Sequence, residues 1–408
     1  MAGATSYDVL IVGGGLVGAS LACALADTPL RIGVIEAHPF NSERQPSYDD
    51  RSIALAHGSQ RIFASMGVWP AVHMLATPIR HIHISNRGHF GFARLHHHEV
   101  GVDALGYVVE NRALGPVLGS RLARASNITL HCPAQVENVT TTADAVTVTA
   151  RSGAGSVALT AALVVAADGH DSVVRERLGL PVQSAAYDQV AIIANVTPEH
   201  FHNYVAYERF TDSGPLALLP LGHDRCSLVW TVRPDQVDEH MAWDDATFAA
   251  QLQARFGHRL GRFVKVGKRA SYPLTLARVK HPAAQRVALI GNAAHTLHPV
   301  AGQGFNLGLR DVAVLAQVIV DAQRAGTDVG ASSVLADYLA WRARDHERVI
   351  TFTDGLARVF ANPWPPIMLA RNAALCAIDV LPPVKRALMR LTMGLAGKQP
   401  RLARGLEL

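Results

Sequence analysis

Three glycines, Gly13, Gly15 and Gly18, follow the apolar run Val9–Val12 in G-x-G-x-x-G order, and Glu36 closes a second apolar run, Ile32–Ile35. That spacing suits phosphate chemistry. Gly13 permits a tight turn, Gly15 admits a pyrophosphate against the backbone, and Gly18 lets helix and strand approach closely. A helix from Leu16 to about Asp27 then offers its free N–H groups to the phosphates. Glu36 stands about 20 residues on, where an acid accepts from a ribose hydroxyl. A glycine turn that binds nothing leaves Glu36 unexplained.

Two further segments carry the same kind of chemistry. Asp168-Gly169 follows the buried strand Leu163–Ala167. The strand Arg286–Gly291 runs into Asn292, His298, Pro299, Gly302, Gln303, Gly304 and Asn306 before a long helix that reaches Asp311 and beyond. Glycines on both sides of Gln303 allow close backbone approach, and the helix aims its positive end at whatever sits there. A reduced, anionic ring is stabilised by that end. Arg51 and Arg112 each fall where a helix is expected to start, as cations within reach of phosphates or ring; the plain alternative for Arg51 is a solvated side chain.

The elements that must position these groups follow from periodicity. Residues 52–66 fit a helix ended by Gly67. Ile79–Ile84 alternates as a strand with His81 and His83 on one face. With no Cys or carboxylate at ligand spacing, these and the nearby His89, His96, His97 and His98 read as strand and loop-tip histidines, and no metal is expected. Tyr107–Glu110 is a strand leading to the Arg112 helix, residues 128–150 a β-meander, and Val173–Leu178 a short helix carrying Arg175. Residues 187–232 alternate as an antiparallel sheet, and 241–256 read as helix. The charge-dense run WRARDHERV, in a helix over 335–349, reads as a solvated face. The tail mixes apolar and basic residues with Pro363, Pro365 and Pro366. It is either an amphipathic membrane-facing helix pair or an ordinary helical cap.

Length and composition bound the rest. At 408 residues the chain exceeds one comfortable core. Apolar content of 49% and charged content of 17% describe a globular chain, and a net charge of +5 without a basic–aromatic stripe argues against nucleic acid. Four scattered cysteines without a C-x-x-C pair argue for a reducing compartment. No window has the uninterrupted apolar length of a spanning helix. A cytoplasmic protein is expected, at most peripheral at the inner face of the plasma membrane.

Taken together, the glycine loop, the Asp168-Gly169 pair and the Gly291–Gly308 loop resemble the FAD-dependent aromatic hydroxylases typified by para-hydroxybenzoate hydroxylase. The resemblance runs from Asp8 to about residue 320. It implies an α/β fold: a Rossmann-like FAD-binding domain of the GR2 type, an inserted antiparallel β-sheet substrate domain and C-terminal helices. The implied boundaries are FAD-binding parts at 1–75, 106–180 and 276–350, substrate parts at 76–105 and 181–275, and a tail at 351–408. Gly13, Gly15, Gly18 and Glu36 match the ADP fingerprint, Arg51 and Arg112 the cofactor-contacting arginines, and Asp168 and Gly169 the pyrophosphate motif. Pro299, Gly302, Gln303, Gly304 and Asn306 match the loop beside the flavin ring. Asn292 departs from the usual aspartate, keeping a contact to the ribityl chain but not its charge.

The strings DDRSIAL, GPLALLPLGHDRCSLVW and GNAAHTLHPVAGQGFNLGLRDV are similar to the ubiquinone-biosynthesis branch, most of all to hydroxylases of 2-octaprenyl-6-methoxyphenol. This implies ring hydroxylation of a prenylated phenol by O2 through a flavin C4a-hydroperoxide, with NAD(P)H or another reductant as donor. Membrane contact through the tail and other proteins of the pathway are the further expected partners. A phenol reacts faster as phenolate, and His298, beside Pro299 and Gln303, is the best-placed group to draw its proton, with a structural role as the alternative. Leu216–Leu221 would wall the pocket. The alternatives are a related flavoenzyme acting on another phenol or lipid, and a non-catalytic flavin- or lipid-binding subunit.

Overall fold

In the computed structural model residues 5–39, 51–153 and 155–408 are described; the polar loop expected after Glu36, with Asp50, lies largely outside them. The chain runs β1 (Thr5–Val12), α1 (Leu16–Ala24), β2 (Ile32–Ile35), β3 (Ser52–Ala56), α2 (His57–Ser65), β4 (His81–Asn86), β5 (Gly106–Glu110) and α3 (Asn111–Arg124). Then come β6 (Gly155–Ala166), β7 (Val205–Thr211), α4 (Asp245–Phe256), β8 (Val287–Leu289), α5 (Gln303–Arg324), α6 (Ser332–Ala361), α7 (Pro365–Val380) and α8 (Pro382–Thr392).

The apolar runs that lack alternation became strands buried on both faces, as parallel sheets require. Ile128–His131, β2, β1, β6 and β8 lie side by side in that order, every neighbour parallel. Helices α1 and α5 pack over this sheet, and Gly308 makes their approach possible: a Cβ there would lie 3.2 Å from Val17. A three-stranded sheet joins β3 and Thr77–Ile79 to the two edges of β5. The alternating segments built a separate, mostly antiparallel sheet, in which β7 sits between Gly214–Pro220 and β4. Trp230, Leu216, Leu218 and Phe248 form its core beneath α4. The class expected from the sequence, a Rossmann-like α/β core with a second antiparallel sheet and C-terminal helices, is the one observed.

Five local expectations are corrected. The helix expected over 52–66 starts only at His57, because Ile53 and Leu55 pair with Val109 and Tyr107 of β5; Arg51 therefore precedes a strand, not a helix. Ile128–His131 leaves the meander for the edge of the parallel sheet. The helix over 241–256 is broken at Trp243, since the Asp244 carboxylate accepts the Thr247 N–H at 2.7 Å and starts a new one. The Leu216–Leu221 segment faces Trp230 and Ile79 rather than a pocket. Most consequentially, the charged run of α6 is solvated on one side only: Arg344, Glu347 and Arg348 are exposed, while Arg342 and His346 are buried.

Candidate active site

The three nucleotide-associated segments meet at the carboxyl ends of the parallel strands, where open α/β sheets bind ligands. Gly13 turns with φ +97°, and a Cβ there would stand 2.5 Å from the Ala167 carbonyl oxygen. The Gly18 position is tighter still, 1.9 Å from the Gly13 carbonyl. Gly15 is the extended residue immediately before α1, which has no side-chain cap. Glu36 is buried at the end of β2, its two carboxylate oxygens accepting the Gly14 N–H at 2.6 Å and the His38 N–H at 2.7 Å.

Asp168 follows β6. One carboxylate oxygen accepts the Val174 N–H at 3.2 Å, while Oδ1 is buried with no partner. Burial raises its pKa against the hydrogen bonds it receives. Gly169 has φ +89° with open space on its side-chain side. Asn292 is exposed in the turn after β8, whose Gly291 lies against Val17 of α1.

Arg51 and Arg112 stand at the ends of paired strands, with Ser52 opposite Glu110. The Arg51 guanidinium lies 5.0 Å from the Tyr272 ring centre, and Arg112 is held by Glu110 at 3.2 Å.

The last loop is strained and then locked. Ala301 has φ +59° and Gly302 +60°, and α5 begins at Gln303. Asn306 uses its whole amide as a clamp: Oδ1 accepts the Ala56 N–H at 2.8 Å and the Ser59 hydroxyl at 2.7 Å, while Nδ2 donates to Ala54 at 2.7 Å and Gly302 at 2.6 Å. It holds the loop to β3 and α2. Gln303 Nε2 donates to the Ala301 and Thr392 carbonyls, leaving Oε1 buried without a partner. Gly304 faces open space. His298 is fully buried, with Nδ1 accepting the Val300 N–H at 3.1 Å and Nε2 3.1 Å from Gln189 Oε1. Burial lowers its pKa to about 4. Both ring nitrogens are engaged in holding the loop, so the geometry matches the structural alternative rather than a proton acceptor.

Beside this loop lies a cavity of about 200 Å³. Its walls are β3, β4, the Val300–Asn306 loop and the inner faces of α6, α7 and α8, with Ile82, Ile84, Phe210, Phe352, Leu356 and Leu388 prominent. Among the described residues one ionisable side chain lines it, Glu208 of β7, with Ala301 on the same wall. Burial, opposed by the nearby Ala301 amide, pushes its pKa up to about 7. Sequence reasoning missed this residue. In VAYERFT both faces of the strand carry polar groups, so alternation alone cannot say that Glu208 shares the apolar face of Ala206 and Phe210.

Behind the loop, Asp311 of α5 accepts from His295 at 2.8 Å, from His346 at 2.6 Å and from Arg342 Nε at 2.7 Å. Burial would raise the Asp311 carboxyl, yet His346, Arg342 and His295 hold it well below the ordinary range. His295, Asp311 and His346 have the spacing of metal ligands. The cation this carboxylate faces is the Arg342 guanidinium.

A glycine loop with its acid, a buried carboxylate oxygen on Asp168 lacking a donor, and a backbone loop with open space at Gly304 together fit FAD, with an apolar cavity beside the last loop. The chain belongs to the FAD binding domain family, which it matches over residues 6–353. It is an FAD-dependent monooxygenase. Among its relatives, it is 42% identical over 405 residues to ubiquinone hydroxylase UbiL of Rhodospirillum rubrum, covering 98% of this chain and 93% of that one. To 3-demethoxyubiquinol 3-hydroxylase of Escherichia coli it is 32% identical over 394 residues, covering 95% and 98%. The fold is shared with p-nitrophenol 4-monooxygenase PnpA of Pseudomonas putida DLL-E4, at TM-score 0.81 and 21% identity over 97% of this chain and 100% of that one.

Proposed function

We propose that this chain hydroxylates the aromatic ring of a polyprenylated phenol on the route to ubiquinone, with O2 as oxygen source and an NAD(P)H-type reductant. The supporting observation is the apolar cavity beside the Val300–Asn306 loop. At about 200 Å³ it is smaller than the roughly 300–1,000 Å³ of ordinary small-molecule sites. It has room for a substituted ring but not for an isoprenoid tail. The tail must leave between the C-terminal helices, whose inner faces line the cavity.

In this reading the amides from Gly13 to Gly18 hold the pyrophosphate, Glu36 the ribose, and Arg51 and Arg112 supply cations. Asp168 and Gly169 meet the cofactor's linker, and Asn292 offers an uncharged contact to the ribityl chain. Pro299, Gly302, Gln303 and Gly304 form the backbone platform for the ring, with Asn306 holding that platform in place. Bound FAD supplies the reduction and oxygen activation. The chain's own contribution is to orient the ring, exclude water through a wall of aliphatic and aromatic side chains, and provide the positive end of α5.

The same reading makes α7 and α8 the surface that meets the lipid. Among the described residues no single helix is long and apolar enough to cross a membrane; this pair, bent by 97°, reaches the length and composition together. Trp364, Leu369, Val380, Leu381 and Val384 are exposed on it, with Arg386 and Arg390 also exposed nearby. A bent amphipathic pair of this kind lies in an interface rather than spanning it. The protein would then work at the inner face of the membrane. Sedimentation with anionic vesicles tests this part: Trp364→Asp with Leu381→Asp should release the protein, and unchanged binding would remove the membrane role.

The function itself is tested by the isoprenoid-quinone profile of a strain lacking the gene. Loss of ubiquinone with accumulation of a prenylated phenol one oxygen short is expected. A normal profile would overturn the assignment and leave a soluble phenol as the substrate to seek.

A further inference from the structure

We propose that Glu208 takes the phenolic proton of the substrate, acting from the wall of the apolar cavity. This rests on the function proposed above and supplies what His298 cannot, a proton acceptor facing the ring.

Glu208 is on β7, a central strand, opposite Ala217 on one side and Ile84 on the other. Its neighbours on the same face are Ala206 and Phe210, both buried, and the cavity wall around it is apolar. Among the described residues no other ionisable side chain lines the cavity. A lone carboxylate on an apolar wall costs stability. Its presence there calls for a chemical reason.

The position of Ala301 adds a second observation. Ala301 holds a left-handed backbone conformation, which costs about 1–2 kcal/mol in a residue with a Cβ. That conformation lies in the loop assigned to the flavin ring, between Pro299 and Gly302, and Ala301 lines the same cavity as Glu208. Carboxylate, loop and cavity therefore form one unit. A phenol ring in the cavity meets an oxygen acceptor on the same wall that carries the cofactor loop.

The proton transfer balances on substrate and Glu208 alone, and the oxygen that adds afterwards comes from O2 activated with bound FAD and the reductant. The phenolic O–H bond breaks, its electron pair stays on the substrate oxygen, and the proton bonds to the Glu208 carboxylate. The oxygen so charged pushes electron density to the ring carbons ortho and para to it, which is where an electrophilic oxygen adds. Addition leaves a ketone at the original phenolic carbon. As the proton on the newly oxygenated carbon is lost to water, the ketone oxygen takes the proton back from Glu208, and the group ends the turnover as a carboxylate. A pKa near the working pH suits both directions, and burial has moved Glu208 to about 7.

The test compares the FAD-loaded wild type with Glu208→Gln and Glu208→Asp on a short-chain prenylated phenol. A positioned base contributes about 10²–10⁴-fold, so Glu208→Gln should lose at least about 100-fold in kcat while keeping its flavin absorbance and melting no lower than the wild type. The wild-type rate should show an acid limb near neutral pH that Glu208→Gln lacks and Glu208→Asp retains. A fluorinated substrate with a more acidic hydroxyl should recover much of the lost rate. Independently of turnover, the infrared carbonyl band of a protonated carboxyl should titrate near neutrality in the wild type and vanish in Glu208→Gln. Wild-type rate and pH profile in Glu208→Gln would overturn the role while leaving the proposed function intact. Failure of the wild type to hydroxylate any prenylated phenol would overturn both.

Discussion

Arg342 Nε lies 2.7 Å from Asp311 Oδ1, tying α6 to α5 through a pair that solvent does not reach. The same carboxylate takes His295 from the short strand His295–Thr296, which pairs with Ala277 and Arg278, so one charge ties three elements together behind the flavin loop. Removing one partner of a buried pair strands the other. Arg342→Leu should therefore cost about 3–5 kcal/mol, read as a lower urea midpoint. The double variant with Asp311→Leu should recover part of that loss. Equal stability of Arg342→Leu and wild type would show that the pair is dispensable.

Asn306 is expected to act on FAD without touching it. Asn306→Ala strands the Ala56 N–H and the Ser59 hydroxyl, at about 1–3 kcal/mol for each buried group. It also frees Gly302, so the platform loosens. A rise of about tenfold or more in the FAD dissociation constant, equivalent to about 1.4 kcal/mol, is the expected result in a flavin fluorescence titration. Unchanged affinity would mean the loop is held by something else.

Gly13→Ala should abolish flavin binding more completely. The new Cβ meets the Ala167 carbonyl at 2.5 Å, and backbone has nowhere to move between two core strands. Purified protein should be colourless and should not take up added FAD. Yellow protein with ordinary affinity would contradict the tight-turn role.

Two titrations of opposite sign should shape stability against pH. Burial depresses His298 and His346 to about 4, below the ordinary value of about 6.5. Their contribution is present above that ordinary value and is lost as pH falls through the folded one, so the melting temperature should drop between these limits. Glu208, raised to about 7, behaves oppositely. Its protonated form is favoured in the fold, so stability is lost as pH rises from the ordinary carboxylate range through neutrality. Glu208→Gln should flatten the upper part of the curve and leave the acid part alone. A difference confined to acid pH would contradict this assignment.

The backbone of the candidate cofactor site was largely legible in the order of residues because its geometry is local. A turn with φ +97° at Gly13, an unflanked helix start at Gly15 and an acid at the next strand end are decided within one β–α–β unit. Runs without alternation, such as Val9–Val12 and Leu163–Ala167, announced strands buried on both faces for the same reason. Where local pattern misled, a distant partner had intervened. The Ser52–Ala56 segment has a helical pattern but is claimed by β5, and the charged stretch of α6 looks solvated until Asp311 is placed against it.

What the sequence determined by itself is thus the α/β core, the G-x-G-x-x-G turn with Glu36, the Asp168-Gly169 turn and the loop around Gln303. Each depends on backbone conformation or on spacing within a few residues. Only the tertiary structure decided that His298 is spent on Val300 and Gln189, that the Asn306 amide clamps the loop to β3 and α2, and that Glu208 is the one ionisable group lining the apolar cavity among the described residues. Those outcomes depend on which side of a strand a residue presents and on what another element, a hundred residues or more away, lays against it. Burial and hydrogen-bond partnership are properties of the packed chain, and the order of residues does not contain them until the chain has closed.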